Sequence, residues 1–132
     1  MYCAYLLFAY FKHEIETNVR DDITTVFKNA GETCINYCLQ ISNYDIFMQV
    51  YNKFVEKGQQ STFFDILVQF ILQDRMNFMP DQNLFGDFVK YFAGRQEFEK
   101  LEQCLLHLDL TKNIDYKFVR NWRASHAYFF SC

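Results

Sequence analysis

The 132-residue sequence has only one proline and four glycines. This low content excludes a collagen-like segment, a flexible linker and a turn-rich all-β sandwich. Long apolar runs are also missing, because Lys12 and Glu14 end the first one well short of the ~20 residues that span a membrane. A basic excess is absent too, with 13 Lys and Arg against 16 Asp and Glu and a net charge of −3. We therefore expect no nucleic-acid partner, since phosphate binding requires a basic surface.

Apolar side chains are abundant: 51% of the residues are hydrophobic and 20% are aromatic. Such a chain is too apolar to be disordered, and its length is that of one domain. The five cysteines are odd in number and lack the spacing of a disulfide scaffold, which indicates a reducing, cytoplasmic location. The apolar first eleven residues lack the basic flank and cleavage site of a signal peptide. We expect them to form a buried first helix; the alternatives are a membrane anchor and the remnant of a longer protein.

Apolar residues recur at i, i+3 and i+4 through most of the chain, which predicts helices. Gly58 and Gly94 are placed to end two of them, Ser61 and Thr62 to cap one, and Pro80 to open another. Alternating apolar and polar stretches bounded by hairpin turns are missing, so the predicted class is all-α. The expected helix starts are near residues 33, 44, 62, 80, 95 and 115.

Successive pairs of these helices recur at about 30 to 35 residues, which is the period of helix–turn–helix repeats. The predicted architecture is therefore antiparallel helix pairs stacked as part of an α-solenoid, with a compact helical bundle as the alternative. The side chains expected in the inter-helix core are Phe54, Phe70, Phe88, Leu101 and Leu105.

Signatures of catalysis are scarce. The sequence has no Gly-rich phosphate loop, dinucleotide fingerprint, Gly-x-Ser-x-Gly elbow or His-Glu-x-x-His pair. We predict no enzyme, and no catalytic, cofactor-binding or metal-binding residues. The alternative is a small enzyme in which Cys104 and His107 form a nucleophile dyad.

Two groups of residues resemble metal sites without completing one. Cys34 and Cys38 lie four apart on one helix face, but a structural zinc needs four ligands, so we interpret them as core cysteines. The second group is an acidic stretch with a histidine, which we interpret as solvated: His13, Glu14, Glu16, Asp21 and Asp22.

The tail after residue 110 is the basic part of the chain. Lys117, Arg120 and Arg123 are spaced three apart beside Phe118 and Trp122. We interpret them as a solvated helix face with Trp122 packed inward. The alternative is a minor surface for an acidic partner or a stacked base.

Three blocks of sequence, in order, carry a resemblance to a known family. The first consists of residues 33–39 (TCINYCL) and 48–54 (MQVYNKF), and the second of residues 62–75 (TFFDILVQFILQDR) with Met79 and Pro80. The third comprises 88–92 (FVKYF), 101–111 (LEQCLLHLDLT) and then Ile114 and Asp115. Together they resemble the central helical region of the vacuolar protein sorting-associated protein 8 family.

The resemblance implies a non-enzymatic scaffold. The family is a subunit of the CORVET complex, which tethers early endosomes before fusion, and has a β-propeller, a long α-solenoid and a RING-type zinc domain. It engages an early-endosomal Rab GTPase and core subunits shared with the HOPS tether. This chain is similar to the solenoid alone, so Rab contact and peripheral attachment to early endosome membranes are expected only through the full-length protein.

The resemblance also suggests how the chain is organised. Residues 1–30 form an N-terminal helix with a weak family match, residues 31–115 form the helical-repeat region, and residues 116–132 form a divergent tail. The family pattern continues after Asp115 with a Cys-Arg pair, whereas this chain reads Val119-Arg120-Asn121. We therefore expect a fragment, or a tail that comes from a different exon.

Overall fold

The computed structural model describes residues 2–17 and 23–108. Within these ranges the chain forms helices and no strand, which confirms the predicted all-α class. The elements are α1 (Tyr2–Thr17), α2 (Ile23–Val26), a π-helical turn (Phe27–Gly31), α3 (Glu32–Gln40), α4 (Tyr44–Glu56), α5 (Gln60–Leu72), α6 (Gln82–Gly94) and α7 (Phe98–His107). In this described part of the chain, no helix is both long enough and apolar enough to cross a bilayer.

The chain divides into two compact units, Met1–Leu67 and Val68–Cys132. In the first unit, α1 packs against the π-helical turn, α3 and α4, and α3 packs against α4. In the second unit, α6 packs against α7. Consecutive helices joined by short turns are the pairs from which an α-solenoid is built.

The core of the first unit centres on Phe54, whose side chain is fully buried. Its ring centroid lies 4.6 Å from that of Phe27, 5.1 Å from Phe63 and 5.6 Å from Phe11. We call these four residues the phenylalanine cluster. The rings of Phe27 and Phe63 meet Phe54 edge to face, a geometry that adds about 0.5–1.5 kcal/mol per pair beyond the buried area. The cluster therefore ties α1, the π-helical turn, α4 and α5 together.

Gly31 closes one side of the phenylalanine cluster. It is buried and helical, at φ −64° and ψ −46°. A β-carbon built there would lie 2.5 Å from Cζ of Phe54 and 3.3 Å from Cε1 of Phe11. Because neighbouring rings surround Phe54, its ring has little room to move away. Glycine is thus required here by close packing and not by an unusual backbone angle.

We expect Gly31→Ala to lower the free energy of unfolding by about 1–3 kcal/mol through overpacking. The gain in helix propensity, up to about 1 kcal/mol, offsets only part of this loss. The matched control is Gly94→Ala, because a β-carbon at Gly94 meets nothing within 4 Å. Urea denaturation of both variants checks the prediction, which fails if Gly31→Ala is as stable as Gly94→Ala.

The core of the second unit forms between α6 and α7. Phe88 and Phe92 lie with ring centroids 4.9 Å apart, and both are buried, as is Leu101 on α7. The five side chains predicted for the core are all buried, with exposed fractions of 4% or less, which confirms them: Phe54, Phe70, Phe88, Leu101 and Leu105.

Four helices end in the same left-handed turn. The residue with positive φ is Ser42 after α3, Gly58 after α4, Asp74 after α5 and Gln96 after α6. At each, the next residue donates its N–H to a carbonyl five positions back, as Glu97 does to Phe92 at 2.9 Å. This is the Schellman pattern, which pairs carbonyls that a helix end leaves free. The prediction for Gly58 is confirmed, whereas α6 ends at Gly94 with Gln96, not a glycine, in the left-handed position.

Gln96 adopts φ 59°, a conformation that costs a non-glycine residue about 1–2 kcal/mol. We expect Gln96→Gly to raise the free energy of unfolding by about 0.5–1 kcal/mol, since glycine relieves the strain but loses more chain entropy. The control is Gln103→Gly, an exposed position inside α7, where the same change should destabilise by about 1 kcal/mol. In thermal unfolding, we expect the melting temperature to rise for Gln96→Gly and to fall for Gln103→Gly. Equal shifts of the melting temperature would contradict the prediction.

Three predicted helix starts are wrong in detail; the helix expected to start near residue 95 is α7, which begins at Phe98. Helix α5 begins at Gln60, so Ser61 and Thr62 lie in its first turn, and the Thr62 hydroxyl donates to Oε1 of Gln59 at 2.9 Å. Pro80 precedes α6 instead of opening it. Asp81 is the N-cap, and its Oδ1 accepts the N–H of Leu84 at 3.0 Å. The free N–H of Leu84 is thus satisfied by the residue after Pro80, whereas Thr62 bonds through its hydroxyl to Gln59 and does not cap the helix.

The N-terminal helix extends beyond the apolar run. α1 continues to Thr17 and buries one stripe, formed by Ala4, Phe8, Phe11 and Ile15. Its outer face leaves Tyr5, Leu6 and Tyr10 more than half exposed, so the expectation of a buried first helix holds for one face only. The predicted last helix after Asp115 lies outside the described residues.

Candidate functional site

The cysteine pair of α3 lies in the core. Cys34 and Cys38 are both free thiols, with exposed fractions of 1% and 0%. A hydrogen bond to Cys38, together with burial, raises the pKa of Cys34 well above its usual range. Among residues 2–17 and 23–108, no cluster of three His, Cys, Asp or Glu side chains offers a metal site. The pair therefore packs as small apolar side chains with a shared S–H bond.

Cys104 and His107 do not form a dyad in the structure. The Cys104 thiol is fully buried in α7, and burial raises its pKa to about 11. His107 lies at the surface, where Nδ1 is 2.8 Å from Oδ1 of Asp74, and no hydrogen bond joins its ring to the thiol. At neutral pH the thiol is protonated and is a poor nucleophile. Asp74 positions His107 by linking the end of α7 to the turn after α5.

We expect Cys104 to resist thiol reagents in the folded chain at pH 8 and to react once urea unfolds it. Because its folded pKa is raised, the protonated thiol stabilises the fold below the unfolded pKa of about 8.5, and this contribution is lost as pH rises through about 11. Mass spectrometry of the labelled chain locates the modified cysteine. Labelling of native Cys104 at the rate of a free thiol peptide would contradict burial.

The structure describes part of the acidic stretch and none of the basic tail. His13, Glu14 and Glu16 lie on α1, with His13 and Glu16 exposed as expected of a solvated face, whereas Asp21 and Asp22 lie outside the described residues. The basic tail with Lys117, Arg120, Trp122 and Arg123 also lies outside them, so its interpretation stays a prediction.

A groove of about 360 Å³ runs between α1 and the continuous helical segment formed by α2, the π-helical turn and α3. Leu7 of α1 lines it together with Val26 and Ala30 from the opposite side. Tyr10 and Glu14 of α1 form one wall, one helical turn apart. Thr25, Asn29 and Thr33 also line it, so the groove combines apolar and uncharged polar side chains with one carboxylate. We call it the α1 groove.

The charge in the α1 groove comes from Glu14. The Tyr10 hydroxyl lies beside this carboxylate, and the hydrogen bond between them, with the carboxylate charge, raises the pKa of Tyr10. Among the described residues, no Lys, Arg or His forms an ion pair with Glu14. Tyr10 is 56% exposed and Leu6, one turn earlier on α1, is 66% exposed. The Tyr10 side of the groove is therefore accessible, and Glu14 makes it acidic.

The sequence did not predict the α1 groove. One side of the groove is built by residues 23–33. The apolar pattern of the sequence predicted a helix only from about residue 33 onward, so it gave no element for most of this side. The signal that points to it is the spacing of Leu6, Leu7, Tyr10 and Glu14, because these residues share a face that the stripe of Phe8, Phe11 and Ile15 does not use.

Comparison with known proteins identifies relatives of the chain. Residues 62–124 match the family model described as "Vps8 central TPR". The "Vacuolar protein sorting-associated protein 8 homolog" of Homo sapiens is 26% identical over 87 residues, which cover 64% of this chain and 6% of that protein. The homolog of Mus musculus matches with the same identity and coverage. No solved structure matches the chain significantly.

The chain thus spans a small part of the length of these curated relatives. The family match covers α5, α6 and α7, whose helix pairs fit a TPR-type repeat region. Two of the three sequence blocks that carried the resemblance, those that begin at residues 62 and 88, fall inside it. The resemblance is confirmed: residues 62–124 of this chain are similar to the central TPR region of the Vps8 family.

Proposed function

We propose that this chain is a non-enzymatic scaffold segment of a vesicle-tethering complex subunit, acting in protein transport and membrane fusion at the endosome and vacuole. The match of residues 62–124 to the Vps8 central TPR family carries the proposal. A repeat segment of this kind works by holding other domains at fixed positions and by offering helix faces to protein partners.

The side chains of the described residues support a mechanical role. Phe54, Phe88 and Leu101 are fully or almost fully buried and serve packing. Cys104, the strongest candidate nucleophile of the sequence, is held protonated in the core. These features favour a spacer over a reactive site, so the proposal includes no catalytic residue and no cofactor.

The proposed partners are the other subunits of the tethering complex. An early-endosomal Rab GTPase and the membrane would be reached through other parts of the full-length protein, which places this segment in the cytoplasm at early endosomes. Within the chain, we propose that residues 31–115 form the functional repeat region, flanked by an N-terminal segment of residues 1–30 that contains α1 and by a divergent tail at residues 116–132.

The test is a segment exchange. The stretch of the human Vps8 homolog that aligns with this chain is replaced by this chain's residues, and the chimera is expressed in cells that lack the endogenous protein. We expect the chimera to co-purify with the remaining subunits of the complex and to restore endosomal morphology. A matched chimera that carries a consensus TPR segment of the same length is the control.

The comparison between the two chimeras decides the proposal. Recovery with this chain but not with the consensus segment supports a specific tethering scaffold. Equal recovery would show that any helical spacer suffices, and absence of recovery with a stably expressed chimera would point to a helical interaction domain unrelated to tethering. Absence of recovery overturns the proposal, whereas equal recovery agrees with a scaffold that acts as a spacer and contradicts only a specific role for its surfaces.

A further inference from the structure

We propose that the α1 groove binds a single amphipathic helix of a partner protein, one whose apolar stripe is flanked by lysine or arginine. This inference does not depend on the proposed tethering role, because it rests only on the groove in the first unit. The occupant is defined by two features of the groove: its apolar surface and the carboxylate of Glu14.

The apolar surface matches the apolar stripe of a helix. Leu7, Val26 and Ala30 face the groove from its two sides, and the exposed ring of Tyr10 extends this apolar area along α1. Leu6, one turn before Tyr10, adds an exposed apolar side chain outside the groove lining. A groove between two helices accommodates the ridge of a third helix. The apolar side chains of that helix at positions i, i+3, i+4 and i+7 insert into the groove. Burial of the exposed Leu6 and Tyr10 side chains would contribute the hydrophobic part of the binding free energy.

The carboxylate selects the charge of the partner. Glu14 has a neutral partner, the Tyr10 hydroxyl, and no cationic partner among the described residues. The residues of the first unit, 1–67, include five Lys and Arg against eight Asp and Glu. A partner helix with a basic flank would therefore meet a carboxylate that has no cationic partner among the described residues, on a unit of negative net charge, which favours its association over that of an acidic helix.

The groove is preformed, because its inner walls are fixed by the core. Phe11 of α1 and Phe27 of the π-helical turn lie on the reverse of the two walls and meet with ring centroids 5.1 Å apart. The π-helical turn is further tied by the Thr33 hydroxyl, which donates to the Asn29 carbonyl at 3.0 Å. Local π-helical turns are frequent at functional sites. A rigid groove binds without the cost of ordering its own backbone.

The probe is a capped peptide of about 16 residues, long enough to form a helix on binding. It carries leucines at i, i+3, i+4 and i+7, lysines on both sides of the leucine stripe, and alanine or glutamine elsewhere. A twin peptide has glutamate in place of every lysine. Fluorescence anisotropy with the full chain measures both, and we expect the lysine peptide to bind more tightly than its twin by about fivefold or more.

Two variants with matched controls locate the binding. Glu14→Lys should weaken the lysine peptide by about fivefold and strengthen the glutamate peptide, whereas Glu16→Lys, the same change on an exposed position of α1 away from the groove, should change neither. Asn29→Trp, which fills the groove from an exposed lining position, should abolish binding. Asn52→Trp, the same substitution on an exposed position of α4, should not.

Several outcomes overturn the inference. Absence of binding by the lysine peptide is one, and equal effects of Glu14→Lys and Glu16→Lys are another. Sedimentation of the chain alone adds a third: a dimer that Asn29→Trp dissociates would make a second copy the occupant. A fourth is binding to phosphatidylcholine vesicles that Asn29→Trp removes, which would make the occupant a lipid surface. Circular dichroism of each variant confirms that it is folded before binding is compared.

Discussion

Replacing Phe54 with alanine is expected to lower the free energy of unfolding by about 3–5 kcal/mol. The ring is fully buried and contacts Phe11, Phe27 and Phe63, so its removal leaves a cavity where four elements meet. The elements are α1, the π-helical turn, α4 and α5, which cannot all shift inward at once. Urea denaturation followed by circular dichroism measures the loss.

The control for Phe54→Ala is Val55→Ala, the next residue of α4. Val55 is 44% exposed, and its truncation should change the free energy of unfolding by no more than about 0.5 kcal/mol. A loss at Phe54 as small as that at Val55 would mean that the phenylalanine cluster does not support the fold.

A double variant separates packing from helix propensity. Gly31 is close to the Phe54 ring, so truncation of Phe54 should remove the clash that Gly31→Ala creates. In the Phe54→Ala background, Gly31→Ala should therefore be neutral or stabilising, and the two single losses should not add. Strict additivity would show that Gly31 is required for another reason.

The helices of residues 32–108 could be predicted because their apolar stripes are regular. Phe47, Val50, Phe54 and Val55 repeat at helical spacing, and the structure places three of these four in the core. The element that the sequence pattern did not predict is the helical segment 23–31. It contains Thr24, Thr25, Lys28 and Asn29, with one large aromatic residue, so its sequence has no stripe long enough to detect. Its helix is held by tertiary contacts, with Phe27 and Gly31 packed on Phe54.

The left-handed residues at the helix ends likewise include one that the sequence predicts and three that it does not. Gly58 was predictable, since glycine adopts positive φ without strain. Ser42, Asp74 and Gln96 adopt the same conformation, although the sequence does not mark them. The turn is closed by its backbone hydrogen bonds, which offset about 1–2 kcal/mol of local strain. Local sequence therefore predicts where a helix ends better than how its turn is built.

The α1 groove could not be predicted for a further reason. Its two sides, residues 7–14 and 25–33, are brought together only by the fold. Leu7 and Glu14 look like ordinary helix residues in the sequence, and Val26 and Ala30 have no obvious partner. A site formed between two helices is a property of their packing, so a single sequence reveals its residues but not their juxtaposition.

Leu101→Ala is the corresponding test of the second unit, within the stretch that matches the Vps8 family. Leu101 of α7 is fully buried, and we expect its truncation to cost about 2–5 kcal/mol. Leu106→Ala is a closely matched control: the same substitution on the same helix, at a side chain that is 75% exposed. Because the chain has two units, hydrogen exchange of the α7 amides is measured beside urea denaturation. A Leu101 loss below about 0.5 kcal/mol, equal to that at Leu106, would contradict the packing of α7 on α6 and with it the repeat architecture.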